Sequence, residues 1–242
     1  MFQHNVFCEP WFESRLQSLC GQDTWTKQDE IIWNQTQRQT AKHNFFIQAY
    51  DFISDNNIDG DYHEFGCHRC RTFRMAMLES QRHFLDKTIF YAYDSFCGMP
   101  SDNSKDAYDE RWDKGSLMTT EDEFLRLIKK SNFSLDNVRT IKGFYQESLP
   151  TIDFEHNFKS RKAALVTIDC DLYESSLPIF EILDKIVQEG TILYIDDYFT
   201  GYKGNPTKGV SKALKDWMDN STWKLEGYRD VGWAGKSYVL YQ

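Results

Sequence analysis

The sequence predicts an α/β protein: a doubly wound, mostly parallel sheet with C-terminal antiparallel strands and an N-terminal helical or irregular extension. Three observations predict it. From Asp61 onward, short runs of strand-forming residues alternate with segments of helical periodicity, the pattern of repeated right-handed βαβ units. Two of these runs, AALVTIDCD (163–171) and TILYIDD (191–197), are apolar almost throughout before acids end them, as expected of strands covered on both faces. The chain closes with TWKLEGY and KSYVLYQ around Gly232 and Gly235, two alternating segments that predict an antiparallel pair.

The elements follow in order. Residues 1–23 are aromatic-rich without a period. Thr24 to about Asn56 predicts one or two helices, because Phe46, Ala49, Tyr50 and Ile53 follow the i, i+3, i+4, i+7 rule. Residues 1–60 are therefore taken as an extension expected to cover the site, and 61–242 as the main domain. DYHEF (61–65) is the first strand. Thr72–Phe84 predicts a helix with Phe73, Ala76, Met77 and Phe84 on one side, and TIFYAYD (88–94) the next strand. An acidic loop spans 101–115; Thr120 with Glu123 then forms a capping box for a helix carrying Phe124, Leu127 and Ile128. VRTIKG (138–143) is a strand. Ser175–Gln188 is a helix with Ile179, Leu183, Ile186 and Val187 inward, and Thr207–Asp219 another with Val210, Ala213, Leu214, Trp217 and Met218.

Composition excludes several classes. With 242 residues, 40% of them apolar and 16% aromatic, the chain can bury a core without disulfides or metals. A net charge of −9 repels phosphate backbones and argues against nucleic-acid binding. No stretch approaches the roughly 20 apolar residues of a membrane span, and no basic start leads into an apolar run. The six cysteines, Cys8, Cys20, Cys67, Cys70, Cys97 and Cys170, are scattered. They predict free thiols in a reducing, cytoplasmic setting.

Ligands of such sheets bind outside the carboxyl ends of the strands, so the informative residues are those that end each strand. VTIDCD sets Asp169 and Asp171 two apart, on one face while the strand lasts. YIDDY adds Asp196 and Asp197. If the two strands are neighbours, four carboxylates converge. Their repulsion is relieved by protonation or by a hard cation, and oxygen-only ligands suit magnesium, manganese or calcium. The bland alternative is that these acids cap a helix or face water. Asp94 ends the second strand, where an acid can accept hydrogen bonds from a ribose or simply start a turn. The loop EFGCHRCRTF (64–73) joins the first strand to the first helix and carries one glycine, Gly66. That is thin for a pyrophosphate and sufficient for a cofactor without phosphates, such as S-adenosylmethionine, whose amino-acid end Glu64 or backbone groups would contact. A zinc reading of Cys67, His68 and Cys70 needs ligands that no second Cys or His pair supplies. A redox Cys-x-x-Cys would share this position, but the remainder of that fold's pattern is missing.

EFG (64–66), YDSFCGMP (93–100), GFYQESLP (143–150), IDCDLYESSLPIFE (168–181) and YIDDYF (194–199) together resemble the macrocin O-methyltransferase (TylF-type) family. The likeness runs over roughly residues 61–220. These are Rossmann-like, class I S-adenosylmethionine-dependent, metal-requiring O-methyltransferases of sugar-decorated natural products. The resemblance implies S-adenosylmethionine and Mg2+ as cofactors. It implies Asp169, Asp196 and Asp197 as metal ligands and Asp171, beside Asp169, as the catalytic base. Glu64, Gly66, Cys67, Arg71 and Thr72 would hold the methionine end and Asp94, Ser95 and Phe96 the ribose. Gly143 and Phe144 would lie near the adenine, and Asp169 would also border the cofactor. Two departures stand out: Cys70-Arg71 where relatives carry small residues, and Cys170 where glycine is usual. The expected acceptor is a hydroxyl of a sugar or sugar-containing small molecule, a natural product or a surface-glycan precursor. A phenol or catechol, a phosphate- or phosphoramidate-bearing glycan, and a non-catalytic nucleoside-binding module are the alternatives. A homo-oligomer with no nucleic-acid or membrane partner is expected. His4 and His156 are alternative bases, Tyr173 and Tyr198 flank the expected metal, and Lys203 and Lys208 lie in a loop that either lines the acceptor or faces solvent.

Overall fold

The computed structural model describes residues 27–100 and 113–242, with side chains from residue 37 onward. The aperiodic segment 1–23, Cys8, Cys20, His4 and most of the acidic loop lie outside the described residues.

Seven strands form one sheet in the order β3-β2-β1-β4-β5-β7-β6. β1 (Asp61–Phe65), β2 (Phe90–Asp94), β3 (Val138–Lys142), β4 (Ala163–Ile168) and β5 (Ile192–Ile195) are parallel. β6 (Lys224–Val231) and β7 (Gly235–Tyr241) form the closing hairpin, and β7 runs antiparallel to β5. The fold is thus the doubly wound sheet that the sequence predicts. Strand order reverses between β1 and β4, so their crossovers leave in opposite directions and open a crevice above their carboxyl ends.

Two cores flank the sheet. On one side lie α1 (Lys27–Asp55), α2 (Arg71–Arg82) and α3 (Glu121–Lys130). The predicted α1 face is its core face: Phe46, Ala49, Tyr50 and Ile53 are all at most 2% exposed. The other core holds α4 (Tyr145–Ser148), α5 (Phe154–Asn157), α6 (Tyr173–Ile186) and α7 (Gly209–Met218). Thr120 caps α3, the Glu123 amide donating to its Oγ1 at 3.3 Å, but the Glu123 carboxylate accepts from Arg126 rather than closing the expected box.

Several expectations need correction. Of the one or two helices expected over 24–56, the described residues form one, Lys27–Asp55. Phe84 is not on the inner side of α2: the helix ends at Arg82, and Phe84, in a left-handed conformation, is 85% exposed. Met218, the last residue of α7, is exposed as well. The short helices α4 and α5 carry too few residues for a readable period. They have a role in packing, because Pro178 lies inside α6 and cannot donate to the Glu174 carbonyl one turn back. Gln146 of α4 fills that place, its Nε2 donating to the Glu174 oxygen at 2.9 Å.

Every residue of β1 is buried, although the strand reads Asp-Tyr-His-Glu-Phe. The polar side chains there have partners, except that His63 Nε2 is buried without one. Asp61 accepts from Arg161 Nε at 2.6 Å and from the Ile89 amide at 3.0 Å. His63 stacks on Tyr91 at 4.7 Å between ring centres and lies 3.1 Å from the Tyr93 hydroxyl. Burial pushes its pKa down to about 3, so it is neutral in the core. Among the described residues no helix is long and apolar enough to cross a membrane.

Candidate active site

A cleft of about 300 Å³ opens at the carboxyl ends of β1, β2, β4 and β5. Its floor on one side is the turn from β1 into α2. Gly66 sits at φ +91°, and a Cβ there would lie 1.8 Å from the Asp169 carbonyl oxygen. Only glycine permits that approach of the two loops. Arg69 and Cys70 follow, both left-handed with φ 57°. The buried Arg74 braces them: its Nε donates to the Cys70 carbonyl at 2.9 Å and its other end to Ser131 Oγ at 3.1 Å. The bulk at Cys70-Arg71 is therefore accommodated by packing Cys70 beneath the loop, fully buried, while Arg71 lines the cleft.

Asp94 joins this turn to the next. One carboxylate oxygen accepts from the Cys67 amide and the other from the Phe96 amide, each at 2.7 Å. Burial raises its pKa, and those two amides oppose the rise. Glu64 lies below the floor, fully buried, accepting from Thr72 Oγ1 at 2.9 Å and from the Tyr62 hydroxyl. Burial lifts its pKa to about 8 despite both bonds.

The opposite side is acidic. β4 ends at Ile168, so Asp169 and Asp171 lie beyond the strand and the alternation of a strand does not align them. Asp171 instead takes a left-handed φ of 60°, a conformation that Asp tolerates better than most residues. Oxygens of Asp169, Asp171 and Asp197 come within 4.8 Å of one another. Asp196 turns away from that group. Its Oδ2 accepts from Lys42 Nζ at 2.7 Å, and the Tyr194 hydroxyl donates to its other oxygen. Lys42 also lies 3.7 Å from Asp169 Oδ2. Burial and the neighbouring carboxylates push Asp169 and Asp197 well above the usual acid range; Lys42 pulls both back in part. Burial alone would lower the Lys42 pKa, but Asp196 and Asp169 outweigh it and keep the ammonium charged. Asp197 Oδ2 is buried without a hydrogen-bond partner.

Of the residues named from the sequence, Gly66, Arg71, Thr72, Asp94, Ser95, Gly143, Phe144, Asp169, Asp171, Asp196 and Asp197 line the cleft. Glu64, Cys67 and Phe96 are buried behind its wall. Cys67 and Cys70 form no disulfide; the Cys67 sulfur packs against the Glu64 and Tyr93 carbonyls. His156 is exposed on α5 and Tyr173 donates to Asp216, neither of them on the cleft. Three cleft residues come from α1, namely Arg38, Gln39 and Lys42, and Trp233 comes from the β6–β7 turn. The Arg38 guanidinium lies 5.7 Å from the centre of the Trp233 ring. Nothing in their local sequence marks them, since each reaches the cleft from 19 or more residues before β1 or 36 after Asp197.

The chain is similar to proteins of one chemistry. It is 28% identical over 158 residues to the demethyldecarbamoylnovobiocin O-methyltransferase of Streptomyces niveus, a match taking in 62% of this chain and 57% of that protein's length. The O-methyltransferase NovP shares the fold with a TM-score of 0.63 at 21% identity, over 82% of this chain and 79% of that one. The calicheamicin methyltransferase CalS11 does so with a TM-score of 0.66 at 18% identity, over 93% and 90%. At such identities the two structures speak for the fold alone. The sequence profile of the macrocin-O-methyltransferase (TylF) family matches residues 26–223, and the chain belongs to that family.

Proposed function

We propose that the protein is an S-adenosylmethionine-dependent, Mg2+-assisted O-methyltransferase acting on a hydroxyl of a sugar-containing small molecule. The observation that carries this reading is the single cleft in which Asp94 and the Gly66 turn face a three-carboxylate group. Bound S-adenosylmethionine would supply a methyl group already activated on sulfur; Mg2+ would supply positive charge to a hydroxyl oxygen whose own acidity is far too low for neutral pH.

The residues fit both groups. Asp94 keeps lone pairs on both oxygens beyond the amides it already accepts, and these suit two ribose hydroxyls. Thr72 and Arg71 stand where a methionine tail would lie, and Gly143 and Phe144 border the far end. Asp169 and Asp197 offer oxygens of the type a hard cation selects, and the orphaned Asp197 Oδ2 is a ligand atom without a partner. Asp171 takes the acceptor's proton, since a carboxylate beside the reacting oxygen is the general base such chemistry needs. The methyl donor and the acceptor must be held in line; the close contact of the Gly66 and Asp169 loops sets that alignment in the main chain. α1 and Trp233 form the outer wall, where a sugar face would rest on the indole.

The test is transfer of labelled methyl from S-adenosylmethionine to a panel of glycosylated small molecules, phenols and phosphorylated sugars. Transfer to a sugar hydroxyl that stops in EDTA and returns with Mg2+ is expected. Turnover that persists undiminished in EDTA would remove the metal from this reading, and transfer to phenols alone would remove the sugar.

A further inference from the structure

Four carboxylates and one ammonium meet at the ends of β4 and β5. The ammonium belongs to Lys42, which is far from the acids in sequence and close in space: 2.7 Å from Asp196 Oδ2 and 3.7 Å from Asp169 Oδ2. It is held there by more than its own ion pair. One turn further along α1, Phe45 packs on Tyr194 at 4.6 Å between ring centres, and Phe46 is completely buried. Tyr194 in turn donates to Asp196. One turn the other way, the Gln39 side chain is 4% exposed with an unpartnered Oε1, and it lines the same cleft. Asp197 Oδ2, in the same group of acids, also has no hydrogen-bond partner.

Two of the acids expected to hold a divalent cation, Asp169 and Asp196, are thus the two that Lys42 approaches. An ammonium and a divalent ion brought to the same pair of carboxylates, about 4 Å apart, repel one another. Resting on the reading that this centre takes a divalent cation, we propose that Lys42 competes with that cation for Asp169 and Asp196, so that seating of α1 and metal loading oppose each other. Lys42 is a positioning residue in this scheme. While it occupies Asp196, the acids left to the cation are Asp169, Asp171 and Asp197; when it withdraws, Asp196 joins Asp169 and Asp197, and Asp171 is released to accept a proton. By linkage the opposition is mutual: whatever the cation loses in affinity to Lys42, α1 loses in seating when the cation binds.

The experiment is Mn2+ titration by calorimetry of the full chain, as wild type, Lys42→Met, Lys42→Arg, Asp196→Asn and the Lys42→Met/Asp196→Asn pair. Expected are a Kd about tenfold lower for Lys42→Met, near-wild-type binding for Lys42→Arg, and an effect of Lys42→Met reduced to about threefold or less when Asp196 is already Asn. Hydrogen exchange on the unaltered protein reads the same link without a substitution: amides of α1 from residue 39 to 50 should lose protection when Mn2+ is added. Equal or weaker Mn2+ binding by Lys42→Met, or unchanged α1 protection, would overturn the competition while leaving the metal reading intact. Absence of Mn2+ binding in every variant would overturn both.

Discussion

The two sides of the cleft solve the burial of charge in different ways. On the β1–β2 side each carboxylate oxygen already accepts a hydrogen bond from within. Asp94 accepts two main-chain amides at 2.7 Å, and Glu64 accepts two hydroxyls while Thr72 closes over it. On the β4–β5 side Lys42 pairs with Asp196 and approaches Asp169, and Asp197 Oδ2 has no hydrogen-bond partner. The first side is finished before any ligand arrives and offers only spare lone pairs. The second leaves Asp197 Oδ2 buried and unpartnered, at a cost to stability that a bound cation would reverse. A half whose acids are already hydrogen-bonded suits a cofactor held by hydrogen bonds, and a half with an unpartnered acid suits a cation-assisted acceptor.

The contrast is broken most sharply at Asp197. Asp197→Asn should cut methyl transfer by about 10³ or more, while raising the melting temperature of the metal-free protein by a few degrees, since it removes one of several mutually repelling charges. Labelled transfer and scanning calorimetry in EDTA read the two effects; a fall in both would mean that Asp197 is a structural acid like those across the cleft. Next comes Asp94→Asn. An amide keeps one acceptor where two are used, so both the loop clamp and the ribose contact weaken. The affinity for S-adenosylhomocysteine should drop about tenfold to a hundredfold, and here the melting temperature should fall, opposite in sign to Asp197. Isothermal titration with a parallel melt decides it.

The smallest effect concerns pH. Glu64 is raised in the folded state to about 8 from an ordinary value of 4.5. An acid raised on folding holds its proton in the native state after the unfolded chain has lost it. Its contribution therefore favours folding at low pH and is lost as pH climbs from about 4.5 to 8. Glu64→Gln should flatten that decline, so the stability of the variant relative to wild type should rise across this window and level off above it, by a few kcal/mol at most. A constant difference between pH 5 and 8, in melts with EDTA present, would place the proton elsewhere.

The sheet was readable because its strands are short, β-rich runs ended by acids, and because burial on both faces leaves an unbroken apolar run in β4 and β5. The carboxylate group was readable for a related reason: two acid-tipped runs in adjacent strands have nowhere else to go. Yet the alternation used to align Asp169 with Asp171 does not hold past Ile168, and a left-handed Asp171 does that work instead. A positive φ at a residue other than glycine leaves little trace in a sequence. Lys42, Gln39 and Arg38 were invisible for another reason. Helical periodicity identifies which side of α1 faces the core, through Phe46, Ala49, Tyr50 and Ile53, but is silent on what its flank meets. Cys67 and Phe96 stand at cofactor-like positions in their loops, and their side chains turn into the core because both loops need an apolar anchor there.

The contact between Gly66 and the Asp169 carbonyl has a consequence for how such a protein can change. A side chain at residue 66 would wedge apart the loops that follow β1 and β4, which in the proposed reading carry donor and acceptor. Because that gap is spanned by backbone alone, the spacing across it is insulated from the identity of every surrounding side chain. The outer wall, with Arg38, Gln39 and Trp233, is then free to be rewritten for new acceptors while the reacting distance stays as it was. A single hydrogen atom in place of a methyl group separates what must be constant in this chemistry from what may drift.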